Sequence, residues 1–479
     1  MTVKRSFRSV IFLVTAVMIF NVFTCMGADA FNFKPKGYDE NGKLQEISFY
    51  SKSVYMENLD TGETIVDINS EDQLPIASMT KVMTAVVLLD RVSHEESELR
   101  KTYVSAGTEA FDELYGTGAA TAEIQPDEKV SYYDLLAALL IPSACEAANI
   151  IAINVGGSIP EFVELMNKKA SEIGMSRSHF SNAHGLFVQD NYSTAKDMAL
   201  LCKYALEHYT VFKDLVAMNE YQMESTEYHE TGSLLFNTNL MLDSLSDYYY
   251  ASVKGIKTGT TEEAGRCLST YATYDGQTYL IVTLGAPMEK LQEDYAKGEE
   301  DPGSIFADEE VYYNILDHLH LYKWAFSMLQ STDFINENSE VRDVKVQYGK
   351  DLDYANLKPA NGYKRIWPID VSVDDVEKVI TVEENIVAPI EVGDVLGKMK
   401  LVYKGETLTE IDLVSTTRVD RSQSKARMKV VKSYFSSKVF KVTLTIVLTG
   451  IFLYGVIHFI RIQRKYLRKY ADVSEDDEE

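Results

Sequence analysis

The chain has 479 residues and a formal charge of −25 at pH 7. That length leaves room for two or three domains and at least one substantial core, since one core typically serves about 100–200 residues. The acidic balance argues against nucleic acid as a partner, because no compact basic patch appears before residue 418 to override the repulsion of phosphates. Of the four cysteines, Cys25, Cys145, Cys202 and Cys267, the first leaves with any cleaved leader, and the odd number remaining argues against a disulfide framework.

The amino terminus carries Lys4, Arg5 and Arg8, then the apolar run VIFLVTAVMIF, then Ala28 and Ala30 spaced for signal-peptidase recognition. Residues 1–30 read as a secretory leader, with an uncleaved membrane anchor as the competing reading. Either way the following domain is expected to be exported.

Helical and strand signals mix between residues 45 and 330. Within IASMTKVMTA at 76–85, Lys81 follows Ser78 by three positions, and positions three apart share a helix face, so hydroxyl and ammonium come within hydrogen-bonding reach. Such a pair arises by chance about twice in a chain of this length at ordinary composition; Ser422 and Lys425 form another in a basic, polar stretch. In LLAALLIPSACEAANIIA, Ser143 follows Pro142 at the end of an apolar, helix-like run. In VKGIKTGTTEEAGRCLSTYA, Lys257-Thr258-Gly259 stands at a strand edge before turn residues. The stretch DYAKGEEDPGSIFADEE, 294–310, reads as a solvated acidic loop without the ligand alternation of a calcium site.

From 335 to 416 the pattern changes to strands. VRDVKVQYG, DVEKVITVEE, GKMKLVYKG and ETLTEIDLV alternate apolar with polar residues, and Lys404-Gly405-Glu406 offers a turn between the last two, as in a small half-exposed antiparallel sheet. Residues 417–441 are basic and serine-rich, a juxtamembrane linker whose cations suit anionic headgroups. VTLTIVLTGIFLYGVIHFI, Val442 to Ile460, is long enough for one membrane-spanning helix, leaving 461–479 as a tail. Basic residues flank both ends, so the orientation follows from the leader: bulk outside, tail inside.

Three elements in this order resemble the serine penicillin-recognising enzymes, which share Ser-x-x-Lys, Ser-x-Asn and Lys-Thr-Gly. More narrowly the chain is similar to the D-alanyl-D-alanine carboxypeptidases of the low-molecular-mass penicillin-binding proteins. The likeness extends through LPIASMTKVMTA, FVELMNKKASEIGM, NAHGL with His184, YSTAKDMALL and GIKTGTTEEAGRC. It implies an α/β (α+β) transpeptidase/β-lactamase-like catalytic domain over 31–330, a helical cluster on a mostly antiparallel sheet, followed by a small all-β domain at 335–416 and a carboxy-terminal transmembrane helix at 442–460. It further implies removal of the terminal D-alanine from peptidoglycan stem pentapeptides, with β-lactams as covalent inhibitors and neither metal nor cofactor.

Carried over by position, Ser78 is the nucleophile and Lys81 its base. That role requires burial or a neighbouring cation to lower the Lys81 pKa; Lys257 can supply the cation, and it also attracts the substrate carboxylate. Thr258 donates to that carboxylate, Gly259 completes the tripeptide, and the backbone N–H groups of Ser78 and Thr260 form the oxyanion site. Ser143 relays a proton to the leaving amine. The chain departs from Ser-x-Asn at Cys145, which lacks the amide's paired donor and acceptor and puts substrate-amide recognition in question. Three rivals follow: a transpeptidase passing the acyl group to an amine, a feeble wall-binding scaffold, and a cysteine nucleophile at Cys145 with His184 as base. A serine β-lactamase is disfavoured for want of an additional placed base, and no histidine pair has zinc-ligand spacing.

Overall fold

The computed structural model describes residues 34–38, 43–301, 303–307 and 309–474; the expected leader, Cys25 and the last five residues of the tail lie outside them. The chain divides into two compact units, one running to Thr332 and including Arg365–Ser372, the other Asp333–Lys364 and everything from Val373 on.

The first unit is built on five strands, β1 (Ser53–Asn58), β2 (Glu63–Ile68), β3 (Val253–Thr261), β4 (Gly265–Tyr274) and β5 (Gln277–Ala286), in the antiparallel order β2-β1-β5-β4-β3. The register places Thr260 opposite Arg266 and Lys257 opposite Ser269. β3 ends that order and is an edge strand among the described residues. One face carries the helical cluster: α1 (Thr80–Arg91) at its centre, with α2 (Tyr132–Leu140), α3 (Cys145–Gly156), α4 (Ile159–Ile173) and α5 (Ala195–His208) packed around it. α1 takes the central place because Thr80 to Leu89 is buried on every side, so it has no polar face to give to solvent.

Local chemistry sets the helix limits. Ser131 caps α2 by accepting from the Asp134 N–H, Ser158 caps α4 from Glu161 and Thr194 caps α5 from Asp197. α3 and α4 stop at Gly157 and Gly174, both at positive φ. Later in the same unit come α6 (Gln292–Glu300) and α7 (Tyr313–Met328), and α7 packs on β4 and β5 from the other side of the sheet.

α6 corrects the reading of 294–310 as a solvated loop. Asp294 is fully buried, accepting from the Tyr313 hydroxyl at 2.8 Å and pairing with Lys297 at 2.9 Å, while Arg266 of β4 forms an ion pair with Glu310. An acidic composition hides such a carboxylate because its tyrosine partner lies outside the stretch.

The second unit holds an antiparallel sheet of β6 (Arg342–Lys345), β7 (Tyr354–Pro359), β8 (Glu377–Val382), β9 (Val395–Tyr403) and β10 (Glu406–Ser415), in the order β6-β7-β10-β9-β8. Lys404 and Gly405 both have positive φ and close the β9–β10 hairpin. The stretch read as a linker carries a helix, α8 (Gln423–Ser436), tied to its own unit by Lys425 Nζ on the Gly349 carbonyl at 2.8 Å. α9 (Lys438–Ser474) follows and contains the apolar segment; Lys438–Leu467 is long and apolar enough to cross a membrane.

Candidate active site

α1 is entered through a tight turn, Ala77–Met79, in which Ala77 has φ +46°. That left-handed conformation, unusual for alanine, aims Ser78 off the start of the helix, where it stays partly exposed while Ala77 and Met79 are buried. Gly185 is the counterpart. It has φ +87° and lies so close to the Ala77 carbonyl that a Cβ would overlap it. On the opposite side β3 approaches the same turn at Gly259, where a Cβ would stand 2.6 Å from the Ile76 carbonyl. Glycine in Lys-Thr-Gly thus serves a close approach, and it brings the start of α1 against the edge strand.

Lys81 lies one turn into α1, fully buried. Its Nζ is 3.0 Å from Ser78 Oγ, 3.4 Å from Cys145 Sγ and 2.5 Å from the backbone carbonyl of His184. These contacts have a simple valence reading. A neutral amine has two N–H bonds and one lone pair, so donation to the His184 carbonyl and to the Cys145 sulfur leaves the lone pair for the Ser78 O–H. Burial lowers the Lys81 pKa, with Cys145 and then Glu146 opposing. Of the two causes expected for this shift, burial and the Lys257 cation, burial is the larger. Desolvation is the main cause at Lys81, while Lys257, itself buried with its Nζ 3.3 Å from the Thr258 carbonyl, is driven well below the ordinary lysine range by burial first and by Lys81 second.

Ser143 precedes α3 with φ +70°; it is buried, and its hydroxyl has no hydrogen-bond partner among the described residues. Cys145 is the first residue of α3, 2% exposed, its N–H donating to the Ala120 carbonyl at 2.8 Å. Thr258 is half-buried and shares a 2.6 Å hydrogen bond with Thr238, a neighbour that no motif marks. Thr260 is exposed at the end of β3. The structure therefore brings Ser78, Lys81 and Cys145 into one hydrogen-bonded group and sets Gly259 against the turn that carries Ser78.

His184 does not act on Cys145. Its Nδ1 accepts from the Leu186 N–H at 3.1 Å and its Nε2 lies 2.9 Å from Glu113 Oε1, which leaves no ring nitrogen for the thiol. Its contribution is the carbonyl beneath Lys81, held in place because Thr84 donates to the neighbouring Ala183 carbonyl at 2.6 Å and Asn182 accepts from Gly185 at 2.6 Å. Sequence reasoning missed Glu113, Glu146, Asn149 and Thr238. Glu146 is buried and accepts from Thr121 Oγ1 at 2.7 Å and the Ala122 N–H at 2.6 Å, which fixes the loop before α2. Its place directly after Cys145 was the one available signal.

Comparison with known proteins places the chain in a family. The family model for D-alanyl-D-alanine carboxypeptidase matches residues 41–288, more than half of the chain, and that for the penicillin-binding protein 5 C-terminal domain matches residues 329–421. Among similar proteins, D-alanyl-D-alanine carboxypeptidase DacF of Bacillus subtilis is 28% identical over 387 residues, covering 80% of this chain and 90% of its own. DacC of Escherichia coli is 24% identical over 396 residues, covering 81% and 89%. The crystal structure of D-alanyl-D-alanine carboxypeptidase DacD from Francisella tularensis shares the fold, with a TM-score of 0.57 at 20% identity over 80% of this chain and 99% of that one. Because the first of these family models matches more than half of the chain, the chain belongs to the D-alanyl-D-alanine carboxypeptidase family.

Proposed function

We propose that this protein removes the terminal D-alanine from peptidoglycan stem pentapeptides through an acyl-enzyme on Ser78, and that β-lactams acylate the same oxygen. The observation that carries the assignment is the Lys81 amine, buried and held 3.0 Å from Ser78 Oγ. Lys81 takes the Ser78 proton as Oγ bonds to the carbonyl carbon of the penultimate D-alanine. The oxyanion so formed is received by the Ser78 and Thr260 N–H groups, which are placed before charge develops. As the C–N bond breaks, the leaving D-alanine nitrogen takes a proton from Lys81, with the Ser143 hydroxyl as relay. Water then adds to the ester with Lys81 again as base, releasing the shortened peptide and restoring Ser78.

Lys257 and Thr258 receive the terminal carboxylate. A carboxylate arriving beside Lys257 favours its charged form, so substrate binding itself restores the ammonium that burial disfavours. α9 anchors the chain in the cell membrane as a single pass, with the catalytic unit on the extracytoplasmic side.

The test uses the full chain in detergent with a diacetyl-Lys-D-Ala-D-Ala peptide, with and without an amine acceptor. Free D-alanine with hydrolysed product, and a penicillin label lost in Ser78→Ala, are the expected results. Amine adduct as the main product would make the chain a transpeptidase, neither product would make it a scaffold, and a label that survives Ser78→Ala but vanishes in Cys145→Ala would move the nucleophile to Cys145.

A further inference from the structure

We propose that Glu113 is a positioning residue for the base, acting on Lys81 through His184. The inference rests on the reading of Lys81 as the group that deprotonates Ser78.

The shortest contact of the Lys81 amine is with the His184 carbonyl, at 2.5 Å. That carbonyl decides where the second N–H and the lone pair point, so whatever fixes the His184 peptide fixes the base. The imidazole is 4% exposed and gripped at both nitrogens. Leu186 N–H donates to Nδ1, which leaves the proton on Nε2, and Nε2–H donates to Glu113 Oε1 at 2.9 Å. Glu113 Oε1 is itself fixed, because Asn149 Nδ2 of α3 donates to it at 2.9 Å and to the Ala110 carbonyl at 3.0 Å. The imidazole beside it holds the Glu113 carboxyl below the usual carboxylate range.

These contacts link three segments distant in sequence. Glu113 lies in a short turn, Asp112–Leu114, Asn149 lies on the helix that Cys145 begins, and His184 lies on the loop whose Gly185 abuts the Ala77 carbonyl. The carboxylate thus joins the helix bearing one acceptor of the Lys81 amine to the loop bearing the other. Among the described residues the hydrogen bonds of Glu113 go to His184 and Asn149 and those of Lys81 to Ser78, Cys145 and His184, so the effect of Glu113 is on the alignment of the amine rather than on the reacting atoms.

The experiment compares Glu113→Ala and Glu113→Gln with the parent, full chain in detergent. It measures the first-order acylation constant and the dissociation constant for a fluorescent penicillin, together with hydrogen exchange over residues 182–187. Misalignment of a catalytic group by about 1 Å costs on the order of a hundredfold, and partial slackening should slow acylation about tenfold in Glu113→Ala with the dissociation constant unchanged. Exchange at 182–187 should quicken in the same variant. Glu113→Gln retains an oxygen acceptor for Nε2–H and should recover most of both. Parent-like acylation and exchange in Glu113→Ala, a loss confined to the dissociation constant, or a glutamine variant as impaired as alanine would each overturn the proposal. If the parent itself takes no label at Ser78, the functional reading fails, and the exchange measurement still decides whether Glu113 holds the His184 loop.

Discussion

Replacing Cys145 by alanine separates two effects that act on Lys81 in opposite directions. The sulfur is one of two acceptors that direct the amine, at 3.4 Å from Nζ, and it also opposes the lowering of the Lys81 pKa by burial. A net intramolecular hydrogen bond contributes about 0.5–1.5 kcal/mol, and sulfur is a weak acceptor. Losing it should cost alignment worth about 1 kcal/mol, or roughly fivefold in the acylation constant at the pH plateau. The sign of the pH effect is opposite. With Cys145 gone, a contribution that raised the Lys81 pKa disappears, so the neutral amine persists to lower pH. The acid limb of acylation should move down while the plateau falls, and Cys145→Ala should lose least under acidic conditions. Stopped-flow acylation by a fluorescent penicillin across pH gives both quantities in one series. A limb that moves up, or a plateau that rises, would refute the account of the thiol as a directing acceptor.

Two further outcomes follow from the same geometry. Lys257 is driven well below the ordinary lysine range, so its charge is lost as pH rises through that lowered value; affinity for a carboxylate-bearing penicillin should weaken on the alkaline side before ordinary lysines titrate, in the dissociation constant rather than the acylation constant, and Lys257→Arg should abolish that limb. Gly185→Ala adds a Cβ where φ is +87° and the Ala77 carbonyl leaves no room; left-handed strain of about 1–2 kcal/mol and overpacking of about 1–3 kcal/mol should together lower the thermal midpoint by several degrees and slow acylation, and an unchanged midpoint would show that the two loops part freely.

How much of this was legible in the sequence depended on distance along the chain. Ser78 and Lys81 are one helical turn apart, so their spacing alone carries the contact, and β9 with β10 shows an alternation and a Lys-Gly turn that local rules suffice to read. β7 carries no clear strand signal, because YANLKP holds an asparagine and ends in Pro359, residues that count against a strand; its pairing with β6 and β10 overrides them. The seat of Lys81 was only half visible. His184 stands out in the NAHGL stretch, but its carbonyl reaches Lys81 across 103 positions and its ring reaches Glu113 across 71, and no periodic pattern reports a contact of that length. The lowered Lys81 pKa was half legible: burial and a neighbouring cation were both expected causes, and burial by a whole helical cluster, which belongs to no single residue, is the larger.

Among the described residues β3 has no strand on its outer side, and this bears on how the protein can escape an inhibitor. An edge presents main-chain N–H and C=O groups as a template for an extended ligand, and a main-chain group has no codon of its own. Substitution can alter what a ligand meets at Thr258 or Thr260, but it leaves the backbone row itself untouched. Shifting the whole strand is the remaining route, and Gly259 closes much of it, since any side chain there meets the Ile76 carbonyl. Variants that resist an edge-pairing inhibitor should therefore map to residues that rim the strand, with Gly259 itself unchanged.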